Sequence, residues 1–235
     1  MMILLLGLLA GMVTTVAGMG GGMLLMLSMA MLIDPLSSLV ISAPALLLGN
    51  LHRLSMYRRS VQWSLSGRLI LGAVPGSLAG GLLAVSLPGT LIQWLMAAMT
   101  IVALLRTTGI IRGSLPQAGL VPTGAVIGTI HATCGGAGPL VGALLQSEGL
   151  AQVPYVATIA SLSVTLHAAR LTAYGIGGAV ETDLIVQGLG LAVAITAGNL
   201  IGDRLRRRMG DALQARTQKL ILLGSISLAI GALVV

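Results

Sequence analysis

Charged residues are scarce in this chain: 8% of 235 positions, with six acids against thirteen bases. A soluble domain cannot cover itself with so little polar surface, so a water-soluble fold is excluded. Phenylalanine is absent and the aromatics are two Trp and three Tyr, which leaves no stacking platform for nucleic acid. The lone cysteine, Cys134, excludes an internal disulfide and a cysteine-based metal cage. No basic residue lies between Met1 and Ala10, so a cleavable signal peptide is not expected. Ten-residue segments of alternating polarity are missing too, which argues against a membrane barrel.

What the chain has is apolar length. Hydrophobic residues make up 56% of it, and the apolar stretches run at about 2–33, 36–51, 66–87, 89–105, 118–145, 150–168, 184–201 and 218–235. Most of them approach the ~20 residues that a helix needs to cross hydrocarbon. The expected fold is all-α and integral to the membrane, with about eight hydrophobic segments. The net charge of +7 then reads as loop charge facing the cytoplasm.

Two glycine clusters, Gly18-Met19-Gly20-Gly21-Gly22 and Gly135-Gly136-Ala137-Gly138-Pro139, lie 117 positions apart, and each is followed 35 residues later by an arginine, Arg53 or Arg170. At the same offset Gly7, Gly11, Leu27, Ala43, Leu54 and Tyr57 recur as Gly124, Gly128, Leu144, Ala160, Leu171 and Tyr174. Further on, Gly76 and Gly80 match Gly198 and Gly202, a spacing that lets helix backbones touch in lipid. The chain therefore divides into a first repeat at 1–112 and a second at 113–235.

Basic residues collect in three places: Arg53, Arg58, Arg59 and Arg68; Arg106 and Arg112; and Arg204, Arg206, Arg207, Arg208, Arg216 and Lys219. Eight simple spans would put the last group opposite the first two. If the glycine-broken segments are re-entrant or discontinuous, each half crosses an odd number of times, all three groups share a side, and the repeats are inverted. The second topology is adopted, with both termini outside.

A helix broken at membrane depth frees N–H groups that a ligand can satisfy, and a new helix N-terminus favours an anion. The candidate substrate-binding residues are Gly20, Gly21, Gly22, Asn50, Arg53, His131, Cys134, Gly135, Gly136, Gly138, His167 and Arg170. The competing reading of the glycines is tight helix packing. Arg53 can equally be a loop charge, His131 a packing residue, and Cys134 a small filler in the place of Ala17. Asn50 and His167 correspond by the repeat and each stands three residues before its arginine. All six acids lie at segment ends or in loops, so no buried carboxylate is expected for a cation or a proton relay. A donor set without an acid suits an oxyanion. No catalytic residue, metal or cofactor is expected.

The stretch Gly11-x6-Gly18-x-Gly20-Gly21-Gly22, its counterpart Gly128-x6-Gly135-Gly136-Ala137-Gly138-Pro139, and Ala157-Thr158 resemble the sulfite exporter TauE/SafE family of membrane permeases. The resemblance implies a helical permease that moves sulfite, sulfonates or similar small sulfur anions outward across a bacterial inner membrane. Its partners would be the anion and the lipid bilayer, with a homodimer left open and nucleic acid not expected. Met23 departs from the family, which usually has proline after the glycines; so do Cys134 and His131. The rival functions are an intramembrane thiol/histidine enzyme and a membrane assembly factor without transport.

Overall fold

In hydrocarbon no water satisfies the backbone, so a chain this apolar must close its hydrogen bonds within helices. The structure, a computed structural model, describes residues 2–17, 20–107, 110, 119–135, 138–210, 216, 217, 220, 221, 223 and 224. Among them there is no strand. The helices are α1 (Met2–Ala17), α2 (Gly21–Ala30), α3 (Pro35–Tyr57), α4 (Trp63–Ser86), α5 (Gly89–Thr107), α6 (Leu120–Cys134), α7 (Gly138–Ser147), α8 (Gln152–Ile176) and α9 (Thr182–Arg206). Four of these, α3, α4, α8 and α9, are long and apolar enough to cross a membrane. The apolar segment expected at 218–235 falls mostly outside the described residues, as do Gly18 and Gly136.

The glycine spacings become backbone contacts. A β-carbon at Gly76 would overlap the Ala125 carbonyl, and one at Gly128 the Ala73 carbonyl, which presses α4 against α6. The same holds for α1 and α9, where Gly11 abuts the Ile195 carbonyl and Gly198 the Leu8 carbonyl. Without a hydrophobic drive between helices in lipid, such close approach is what supplies packing energy. The tightest pairings, α4 with α6 and α1 with α9, each join the fourth helix of one half to the first helix of the other, so they exchange when the halves are exchanged. The pairs α3 with α9 and α8 with α4 exchange in the same way.

At the first glycine cluster the chain doubles back. A β-carbon on Gly21 would overlap the Ala10 carbonyl oxygen and the Thr14 hydroxyl, whereas residues 11 apart along one helix stand about 16 Å apart. So α2 starts alongside the last turns of α1. Helix α3 then opens at Pro35, with the Asp34 carboxylate accepting the Ser37 N–H at 2.9 Å as its cap. Gly89 lies beside Asp34 and Pro35, and Gly177 beside Val85, which gathers those turns at one end of the molecule. Gln62, Arg68, Leu120 and Glu148 share a surface hollow at the other end, and Tyr57 reaches Asp203 and Arg206 there. The first and last basic groups are therefore neighbours. Arg112 and Lys219 lie outside the described residues.

Candidate functional site

Where the two glycine clusters approach each other, between α1–α3 and α6–α8, lies a cavity of about 50 Å³. That is room for a few waters or one compact anion. Its wall takes Gly20, Gly22, Asn50 and Arg53 from the first half and His131, Gly135, Gly138 and His167 from the second. Eight of the twelve residues singled out from the sequence thus meet at one place. Each helix start in that wall carries N–H groups that its own helix cannot use. Gly20, at φ 91°, turns the chain into α2, and Gly135, at φ 73°, turns it out of α6; both are conformations that only glycine adopts readily.

Arg53 is 1% exposed and Arg170 is 0% exposed. The loop-charge reading of Arg53 is thereby corrected: α3 continues past the apolar stretch to Tyr57, and the guanidinium turns inward. One Arg53 nitrogen, Nη1, donates to the Thr14 carbonyl at 2.9 Å, and Nη2 donates to Asn50 Oδ1 at 2.5 Å. Thr14 lies in the last turn of α1, where carbonyls lack helical partners and the dipole favours a cation. Asn50 is fixed in turn by donating to the Leu46 carbonyl at 2.7 Å.

Arg170 has poorer company. Its Nη2 donates to Ser42 Oγ at 2.9 Å, and its Nη1 has only the Met26 sulfur, at 3.5 Å. The carbonyl that corresponds to Thr14 is that of His131, and the Gly135 N–H already bonds it at 2.9 Å. The Nε of each arginine has no partner, and no carboxylate among the described residues pairs with either guanidinium. An intramembrane charge costs about 3 kcal/mol or more, so an unpaired one marks function.

The imidazoles of His131 and His167 meet edge to face, with Nε2 and Nδ1 3.4 Å apart and ring centroids separated by 4.7 Å. Both rings are buried in the cavity wall, and His131 Nδ1 is unbonded. Gly21 faces α1 instead of the cavity. Cys134 is 3% exposed in the apolar core, and its Sγ bonds the Ile130 carbonyl of its own helix at 3.2 Å. Gly136 lies outside the described residues.

Sequence reasoning missed several participants. Met23, Met26 and Ser163 line the cavity, and Ser42 holds Arg170. Met23 and Met26 follow the first break at helical spacing, which was the available signal. Asn199 was missed as well; it donates to the Gly49 carbonyl at 2.7 Å and accepts from Thr15 at 2.9 Å, tying α9 to α3 and α1. The expectation of no buried carboxylate is corrected at Asp203, which is 6% exposed. That carboxylate accepts from the Tyr57 hydroxyl, from Arg206 at 3.1 Å and from Arg207 at 2.8 Å. The cluster sits at the basic end, and no acid among the described residues lines the cavity.

The model of the sulfite exporter TauE/SafE family matches residues 3–232 of the 235. The chain belongs to that family. No curated protein and no solved structure matches it. TauE/SafE proteins are transporters and not enzymes, and membership makes this chain a multi-pass membrane permease of the sulfite-exporter kind. As a TauE/SafE protein it meets lipid on its outer surface, where Leu71 and Val193 stand exposed.

Proposed function

We propose that this TauE/SafE protein exports a small sulfur oxyanion, sulfite or an organosulfonate, by binding it in the cavity between the two glycine clusters. The carrying observation is a pair of fully buried arginines with no carboxylate partner among the described residues, Arg53 in the wall of a cavity lined by helix starts and Arg170 behind Met26 of that wall. Arg53, Asn50, His131 and His167 supply donors from side chains, and Gly20, Gly22 and Gly138 from the backbone. Gly135 turns the chain out of α6 so that the start of α7 can face the anion. Arg170 stands behind Met26 in support.

Alternating access follows from treating 1–112 and 113–235 as inverted repeats that rock around the anion. The exchange of helix pairings between halves supports this, as does the doubling back at Gly21, which favours a re-entrant α1–α2. The meeting of the first and last basic groups at one end supports an odd number of crossings per half, with that end cytoplasmic. Both arginines and both breaks belong to one chain, so the site is complete without a second copy. A membrane potential of about 100 mV, inside negative, drives each negative charge outward by about 2.3 kcal/mol, and export needs no coupling ion.

The test is sulfite efflux from proteoliposomes carrying Arg53→Gln or Asn50→Ala, with thermal stability followed in parallel. The Arg53 change is expected to lower flux about 100-fold, or about 2.7 kcal/mol. Wild-type flux in both variants would remove the site.

A further inference from the structure

We propose that the cargo is bound as a doubly charged oxyanion, held between Arg53 and Arg170, with the Met26 thioether displaced from the Arg170 guanidinium. This rests on the anion-site reading and adds to it the charge of the cargo.

The two guanidiniums place a formal charge of two beside a cavity whose wall has no carboxylate among the described residues. A singly charged anion would satisfy one of them and leave the other buried against a hydroxyl and a sulfur. A dianion leaves neither unsatisfied. One dianion answers both guanidiniums without bringing two separate anions, which repel each other, into one small cavity.

Arg170 is separated from the cavity by a side chain suited to give way. Met26 forms part of the cavity wall and at the same time accepts from Arg170 Nη1 at 3.5 Å. A thioether is a weak acceptor, and the unbranched methionine side chain adapts its rotamers easily. An anionic oxygen in its place would give this guanidinium a bond with charge on both partners, which neither the Ser42 hydroxyl nor the thioether supplies. The remaining geometry agrees. His167 lies one helical turn before Arg170 and lines the cavity, and Arg53 enters the wall from α3.

Thiosulfate and methanesulfonate make a suitable pair of probes. Each has tetrahedral sulfur with three oxygens and a larger fourth substituent, and they differ by one charge. Titration calorimetry on the purified full chain is expected to show thiosulfate binding at least tenfold tighter, a difference of about 1.4 kcal/mol. Sulfate should group with thiosulfate, which excludes a special effect of the terminal sulfur. The preference is expected to vanish in Arg170→Gln and to survive in Arg170→Lys. Equal affinity for both probes in the wild type, lost in Arg53→Gln, would overturn the charge match and leave the anion site standing. Binding of neither probe would overturn both.

Discussion

Arg53 and Arg170 each stand 35 residues beyond a glycine cluster, yet one is braced and the other is not. Arg53 caps the end of α1 through the Thr14 carbonyl and is steadied by Asn50. At the second break the His131 carbonyl accepts from the Gly135 N–H, and Arg170 bonds Ser42 and Met26. The breaks differ in the same sense. Gly21 is pressed against the backbone of α1, whereas no atom of the described residues lies within 4 Å of a β-carbon built on Gly138. The charge recurs between the halves while its surroundings have diverged. The first half thus offers a fixed anchor and the second an adjustable one.

The largest expected effect breaks the comparison at the glycines. Gly21→Leu must force α2 away from α1, and overpacking against backbone costs about 3 kcal/mol or more. Gly138→Ala enters open space and should change stability by less than about 0.5 kcal/mol. Melting of the two purified variants checks this; equal losses would mean that the breaks are packed alike.

Next in size is the contrast between the arginines. Replacing buried ionic groups by well-packed apolar side chains is neutral or stabilises by about 1–4 kcal/mol, and of the two arginines Arg170 is the worse paired. Arg170→Met should therefore raise stability by about 2 kcal/mol, a rise of about 4–8 °C in melting temperature for a chain of this length, while transport falls. Arg53→Met gives up two good hydrogen bonds and should gain nothing. A gain in Arg53→Met as large as that in Arg170→Met would erase the distinction between anchor and adjustable site.

The all-helical membrane fold was legible because the bilayer dictates it: apolar length, glycine spacing and the paucity of charge all follow from the solvent. The cavity was legible for a related reason, since a glycine cluster or an arginine is costly at membrane depth and so stands out. Helix ends were less legible. Hydropathy stops near residues 51 and 168, but α3 and α8 run on to Tyr57 and Ile176, because their polar ends are satisfied by protein instead of water. Arg53 looked like a loop charge for that reason. Met26, Ser42 and Asn199 were hidden by being ordinary residues in an apolar sequence; only the fold brings them to Arg170 and Gly49. Asp203 was read as a terminal acid, and its burial depends on Tyr57, 146 residues away in sequence.

A smaller effect separates the corresponding tyrosines. Tyr57 bonds the Asp203 carboxylate, and Tyr174 bonds the Ala132 carbonyl at 2.6 Å. A hydrogen bond to a charged group contributes about 1.5–3 kcal/mol and one between neutral groups about 0.5–1.5. Tyr57→Phe should therefore lower stability more than Tyr174→Phe, and Asp203→Asn should remove most of that difference. A larger loss in Tyr174→Phe would show that the second half is the more tightly held of the two.

The smallest effect belongs to Cys134, which stands where the first half has Ala17. Both side chains are buried, at 3% and 0% exposure, just before their breaks. The Cys134 sulfur is turned to the Ile130 carbonyl and adds nothing to the cavity wall. Cys134→Ala gives the second half the residue of the first, and sulfite flux should stay within about twofold of wild type, less than about 0.4 kcal/mol in barrier. A loss of tenfold or more would make the thiol part of the transport cycle, and the adjustable half would then hold a group that the anchored half has no means to supply.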